Sequence, residues 1–256
     1  MNSVVTKVRL LPDTPYIWRA KRPGARHRLI CFPHGGGGAA TFASWAAQLP
    51  PEIELAAVQL PGRQNRIYEK LPASADALIE AVTEALLPLL EGSVAFFGHS
   101  CGALLAFEVA RALRAAGHPM PRRLFLSGQP SPQAFSARPK LHRLSHADFR
   151  AEIVELGGVD SEIVEDPRIL DDLIPIVRAD FEIWERHRVA PGPLLDIPVS
   201  VLCGNADVRA PIDTLDGWRA FTSAGFDTQL YPGGHFYFLS EGTGVLAHIC
   251  RTLLAS

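Results

Sequence analysis

Short apolar runs recur along the chain, separated by longer segments in which apolar residues return every third or fourth position. The runs RLICF (28–32), ELAAVQL (54–60), SVAFFG (93–98), RLFLSG (123–128), VSVLCG (199–204) and DTQLY (227–231) have the length and composition of strands. Between them Phe42 to Gln48, Ala73 to Leu90, Ala103 to Ala116, Trp218 to Ser223 and Gly242 to Leu254 carry helical periodicity. This βαβα alternation predicts an α/β fold: a mostly parallel central sheet flanked by helices. One stretch departs from it. From about 129 to 190 there is no convincing strand, only helix-like segments such as HADFRAEIVELGG and DPRILDDLIPIVRADFEIWERH. An insertion of that length between two core strands sits where ligands bind in open α/β sheets, so it predicts a helical lid, with a merely structural helical layer as the alternative. No internal repeat, linker or low-complexity segment marks a second domain, and the reading is one domain over 1–256.

Composition narrows the functional classes. Nearly half of the 256 residues are hydrophobic and a fifth are charged, which supports a sizeable core and excludes the signature of disorder. The 25 basic and 27 acidic residues leave a formal charge of −2, so no overall field draws nucleic acid or an acidic membrane, and any partner must be recognised locally. Cys31, Cys101, Cys203 and Cys250 form no CxxC pair, which argues for buried free thiols over a zinc site or a disulfide scaffold. The N-terminal MNSVVTKVRLLPDTP has no long apolar region, and no uncharged apolar run reaches about 18 residues. The chain reads as soluble and cytoplasmic.

The chemistry concentrates at three places. Gly98-His99-Ser100-Cys101-Gly102 is a G-x-S-x-G between a predicted strand and a predicted helix. In that context the serine occupies a tight strand-to-helix turn that exposes its hydroxyl, and the residue after it contributes its backbone N–H to an oxyanion hole. Cys101 is a rival nucleophile by chemistry, but its position assigns it the amide rather than a thiolate. A hydroxyl needs a base, and His235, in YPGGHFYF after the last predicted strand, has the chain order that this motif requires. His99 is badly placed beside the serine, and His34 reads as structural or as a pocket residue. The acid is assigned to Asp207, at the exit of VSVLC through Gly204-Asn205-Ala206, with Asp213 and Asp216 as its competitors. The run Phe32-Pro33-His34-Gly35-Gly36-Gly37-Gly38 supports an oxyanion loop. A dinucleotide or phosphate loop would need an acid ending the next strand or a following Lys-Ser/Thr, and neither is present.

With CFPHGGGG (31–38), VQLPGRQNR (58–66), FGHSCGALLAFEVA (97–110), FLSGQPSP (125–132), DLIPIVRADFEIWE (172–185), LCGNAD (202–207) and PGGHFYF (232–238), the sequence resembles the stand-alone type II thioesterases that accompany polyketide synthases and non-ribosomal peptide synthetases. The resemblance runs nearly the full length. It implies an α/β-hydrolase fold with a helical lid at about 129–190, Ser100 as nucleophile, His235 as base, Asp207 as acid, and the backbone amides of Gly35 and Cys101 as oxyanion donors. It also implies hydrolysis of acyl groups from the phosphopantetheine arm of acyl or peptidyl carrier proteins, by a monomer with no metal or cofactor. Three positions depart from the family: alanine is usual at Gly35, methionine or leucine at Cys101, and tyrosine near His187. These bear on acyl preference rather than reaction type. Acyl transfer or cyclisation from the same acyl-serine is the rival within enzymes, and a catalytically silent carrier-binding module is the rival outside them. Arg63, Arg66, Arg138, Lys140 and Arg143 are candidates to meet an acidic carrier protein.

Overall fold

A strand buried on both faces must be apolar at nearly every position, and five of the six predicted runs meet that demand, the exception being the partly exposed edge run 227–231. In the computed structural model, which describes residues 8–159, 164–240 and 244–255, they form β3 (His27–Phe32), β4 (Ile53–Val58), β5 (Ser93–His99), β6 (Arg123–Ser127), β7 (Val199–Gly204) and β8 (Phe226–Tyr231). All six are parallel. An N-terminal hairpin that the apolar pattern did not disclose, β1 (Leu11–Thr14) and β2 (Ile17–Ala20), adds antiparallel to β4 and gives one eight-stranded sheet in the order β1-β2-β4-β3-β5-β6-β7-β8. β1 is exposed at all four positions and contains Pro12, which suits an edge strand and leaves no hydrophobic signature to read.

Alternate residues of each strand feed two cores. Ile30, Phe32, Phe96, Leu126 and Val201 join one face, which is covered by α2 (Ala75–Leu86) and α3 (Cys101–Ala115). Leu29, Cys31, Phe97, Phe125 and Leu202 join the other, covered by α1 (Ala43–Gln48) and, near the C-terminus, Val245–Leu254. The strand period of two thus places every second side chain in a different layer. Ser74 caps α2 by accepting from the Ala77 amide at 3.2 Å. The α-helix expected over 73–90 stops at Leu86 and passes into a 3₁₀ turn over Leu87–Leu89, because Pro88 has no N–H to continue the ladder. The helix expected over 218–223 is a 3₁₀ segment, Asp216–Phe221. The start of the helix expected from Gly242 lies outside the described residues.

Between β6 and β7 the described residues form α4 (Pro132–Ala137), α5 (His146–Leu156) and α6 (Pro167–Arg186), and the C-terminal helix Val245–Leu254 is then α7. Leu141, Phe149, Ile153, Leu170, Ile174, Val177 and Phe181 make a separate small core for this layer. Polar bonds tie α6 and its cap to their surroundings at several points, among them Asp180, Glu185 and His187. Asp180 takes Arg63 Nη2 on both carboxylate oxygens at 2.9 Å and accepts the Gly36 amide at 2.7 Å. Glu185 accepts the amides of Leu141 and His142 at 2.9 and 3.0 Å. His187, one of the three departures from the family, bonds through Nε2 to Glu108 of α3 at 2.8 Å, so the change binds the end of α6 to the body of the fold.

The Arg63–Asp180 pair is 4% exposed on both sides. Burial pushes the Asp180 carboxyl above its ordinary range, against the pull of Arg63 and the Gly36 amide. Removing one partner of such a pair leaves the other charged and dry, which costs about 3–5 kcal/mol. Asp180→Ala should therefore lower the urea midpoint by the equivalent of about 3 kcal/mol or more, and Arg63→Met combined with Asp180→Leu should recover most of it. A loss below about 1 kcal/mol in Asp180→Ala would show that the pair does not hold α6 to the loop.

Candidate active site

The backbone decides where the serine hydroxyl goes. Ser100 stands between β5 and α3 with φ 54° and ψ −123°, a region that costs a non-glycine residue about 1–3 kcal/mol. Its amide donates to Ser127 O of β6 at 2.8 Å, and its carbonyl accepts from Ala103 at 2.8 Å. The flanking glycines are steric requirements. A Cβ on Gly98 would lie 2.2 Å from Gly102 O, and one on Gly102 would lie 2.2 Å from Phe32 O. The turn forms only because neither side chain exists. Beneath it His99 is fully buried, with Nδ1 2.9 Å from Ser127 Oγ, which in turn lies 2.7 Å from Tyr237 Oη.

The ends of β7 and β8 bring the other two predicted residues together across 28 positions of sequence. His235 Nδ1 lies 2.8 Å from Asp207 Oδ2. Asp207 Oδ1 accepts the amides of Arg209 and Ala210 at 2.8 and 3.1 Å. Burial pushes the Asp207 carboxyl up, but the bonds from His235 and from those two amides outweigh it and hold the group below its ordinary 3.8. With Nδ1 engaged by a carboxylate, the imidazole presents Nε2 as its basic nitrogen. The competing acids are elsewhere: Asp213 is exposed, and Asp216, 76% exposed, pairs with Arg219.

The other two histidines of the region are unsuited to holding a proton. Burial, reinforced by His235 and Arg63, lowers His34 to about 3, and burial with His235 and His34 puts His99 well below its ordinary value. The Cys101 thiol is pushed up to about 12 by burial, with Asp180 and Glu185 adding, so its thiolate is scarce at neutral pH. Cys31, Cys101 and Cys203 are buried and all four cysteines are free.

The glycine loop after β3 is held from two sides. Gln59 Oε1 accepts the Ala39 amide at 2.8 Å, and Asp180 accepts that of Gly36. A Cβ on Gly35 would meet the Phe181 ring at 3.3 Å and Cys101 Sγ at 3.5 Å. The two departures Gly35 and Cys101 therefore face each other: a methyl at Gly35 would be in close contact with the Phe181 ring and in ordinary contact with the sulfur. A cavity of about 370 Å³ runs over this loop, lined by Ser100, His235, Gly35 and the α5 and α6 residues Ile153, Val177 and Phe181. A larger one, about 1200 Å³, lies among α2, α3 and the end of α6 and touches none of Ser100, Asp207 and His235. Size alone would choose the wrong one; the convergence of hydroxyl, imidazole and loop amides chooses the smaller.

Four of the five basic residues expected to meet a carrier protein are engaged within the fold. Arg63 and Arg66 are 3% and 6% exposed, Arg66 being paired with Glu69 at 2.6 Å. Arg138 donates to the carbonyls of Arg209 and Val208, and Lys140 to that of Ser136. The sequence tells a surface arginine from a buried one only through its partner. For Arg63 that partner, Asp180, sits 117 residues away. Asp180 itself left a trace: it falls within the apolar stripe of α6 at 170, 174, 177, 181 and 184, where an unpaired carboxylate would be untenable. Among the described residues no helix is long and apolar enough to cross a membrane, and no group of three or more His, Cys, Asp or Glu is placed to hold a metal ion.

The thioesterase domain family model matches residues 27–255. Thioesterase PikA5 of Streptomyces venezuelae is 39% identical over 235 residues, 91% of this chain and 83% of its own. The gramicidin S biosynthesis protein GrsT of Aneurinibacillus migulanus is 34% identical over 229 residues, 90% of either chain. Among solved structures, the type II thioesterase BorB from the borrelidin biosynthetic cluster superposes with a TM-score of 0.85 at 33% identity, over 94% of this chain and 99% of that one.

The depressed Asp207 value has a direction that can be measured. A carboxylate held lower in the folded than in the unfolded state stabilises the fold above its unfolded pKa, and this contribution is lost as pH falls through the folded value. The wild-type urea midpoint should therefore decline below about pH 4, and Asp207→Asn should flatten that decline. Parallel curves for the two proteins between about pH 6 and 2.5 would contradict the assignment.

Proposed function

Because the chain belongs to the thioesterase domain family, we propose that it hydrolyses acyl thioesters from the phosphopantetheine arm of carrier proteins in a polyketide or non-ribosomal peptide pathway, as a type II thioesterase that frees blocked carriers. The observation that carries this reading is the 2.8 Å Asp207–His235 bond beside a serine held at positive φ, in one cavity with the glycine loop. His235 Nε2 takes the proton of the Ser100 hydroxyl as Oγ attacks the thioester carbonyl. Asp207 keeps the imidazole in the tautomer with Nδ1–H and stabilises the imidazolium without taking its proton. The developing oxyanion is received by the amides of Gly35 and Cys101, where one donor contributes about 3–4 kcal/mol to the transition state. Collapse expels the pantetheine sulfur, which leaves as the thiol with the proton from His235. Water then attacks the acyl-serine with His235 again as base, releasing the carboxylic acid and restoring Ser100. No step draws on a metal or cofactor.

The helices α5 and α6 act here as the lid, since they roof the cavity over Ser100 and their own small core lets them pack as a unit. Asp180 makes that lid part of the oxyanion apparatus, because one carboxylate binds both the lid's arginine partner and the loop amide next to Gly35.

The direct test is mass spectrometry of an acetyl-loaded carrier protein incubated with the enzyme. Wild type should return the carrier to its free-thiol mass, and Ser100→Ala should slow this by about 10³-fold or more. Unloading by Ser100→Ala at the wild-type rate, or no unloading by wild type across several acyl lengths, would contradict the proposal.

A further inference from the structure

Two histidines line the cavity over Ser100, His235 and His34, and the hydrolytic cycle uses only the first. The His34 ring stands edge-on to Phe236, with centroids 4.7 Å apart, and Phe236 stands edge-on to His235 in turn. A Cβ on Gly37 would lie 2.7 Å from His34 Cε1 and 2.9 Å from both ring nitrogens, so the imidazole occupies this place only because residue 37 has no side chain.

The two nitrogens of His34 differ. Nδ1 is buried with no hydrogen-bond partner. Nε2 is not closed off in this way and bonds to no described residue, so on a ring that lines the cavity it is the nitrogen open to it. Burial, with His235 and Arg63 nearby, lowers the pKa of His34 to about 3, and the neutral ring carries one N–H and one bare nitrogen. A buried N–H without an acceptor is the costlier orphan, so the proton belongs on Nε2. His34 thus offers the cavity a neutral donor and no second base.

We infer that His34 Nε2–H holds the water that hydrolyses the acyl-serine, and that it selects water against amines as the acyl acceptor. This rests on the thioesterase reading above and names the nucleophile of its second step. Once the pantetheine thiol has left, water enters the same cavity. One lone pair of its oxygen accepts from His34, the other attacks the acyl carbon, and one of its hydrogens passes to His235 Nε2. The bond from the acyl carbon to Ser100 Oγ then breaks, Oγ takes the proton back from His235, and the carboxylic acid leaves. His34 neither gives nor takes a proton. A neutral amine has a single lone pair, which its attack consumes, so it leaves the His34 donor unpaired. A site that bonds its nucleophile in this way discriminates against one that cannot return the bond.

An acetyl-pantetheine thioester supplied together with glycinamide tests this, because the acyl-serine then partitions between water and an amine. The ratio of acetylated glycinamide to acetate is measured for wild type, His34→Phe, His34→Leu and His34→Gln, after subtraction of the reaction seen with Ser100→Ala. His34→Phe keeps a ring beside Phe236 and removes the donor; the ratio should rise by about five- to tenfold, the range for one lost hydrogen bond, and acetylated Ser100 should accumulate in the tryptic peptide. His34→Leu should behave alike, and His34→Gln, whose amide restores an N–H, should bring the ratio back toward wild type. Because the ratio is set by the acyl-enzyme alone, a loss of folded protein does not move it. An unchanged ratio in both His34→Phe and His34→Leu would overturn the water assignment and leave thioester hydrolysis standing. Absence of thiol release by wild type would overturn both.

Discussion

The backbone at Ser100 is the constraint on which the rest of the site depends. A serine at φ 54° is held there by the bond of its amide to Ser127 O and by two glycines that admit the carbonyls of Phe32 and Gly102 at distances no side chain would allow. The local cost is small beside the burial of the sheet that enforces it, with β4 and β7 covered at every position. Because the turn is clamped between β3, β5 and β6, the hydroxyl is fixed relative to the exits of β7 and β8, where Asp207 and His235 meet. The same geometry starts α3 at Cys101, so the amide following the serine points out of a helix N-terminus, where negative charge is favoured.

A second constraint joins the helical layer to that turn. α6 presents Asp180 to Arg63 and to the Gly36 amide, Glu185 to the loop at Leu141 and His142, and at its end His187 to Glu108 of α3. Any displacement of α6 large enough to admit a substrate arm therefore acts on the glycine loop through one carboxylate. Residues 181 and 101 also meet around Gly35, so the position of α6, the position of the loop and the volume beneath the turn at Ser100 are coupled within a few ångströms.

The sequence disclosed those parts whose signal is local. Five of the parallel strands, β3 to β7, were legible because burial makes them nearly continuous apolar runs, while the edge strand β8 is partly exposed and was read from its place in the alternation; Ser100, Asp207 and His235 were singled out because each follows one of these strands. The edge hairpin was not legible, since β1 buries nothing and carries a proline. Boundaries failed where one residue overrode a periodicity, as Pro88 does at the end of α2. Pairings across long separations were also hidden. Arg63 read as surface charge because nothing near it in sequence announces Asp180, and Arg66 because a glutamate three residues on, Glu69, does not by itself mark an arginine as buried. The family resemblance supplied Gly35 as a donor position, and the structure adds that it borders Cys101 and Phe181.

The central claim is that Ser100, and not the neighbouring Cys101, forms the covalent bond to the acyl group. A fluorophosphonate probe followed by tandem mass spectrometry of the peptide spanning the two residues separates them directly. The account predicts a single adduct on Ser100, formed at a rate that collapses in His235→Ala. An adduct on Cys101, or labelling of Ser100 at an undiminished rate without His235, would contradict it.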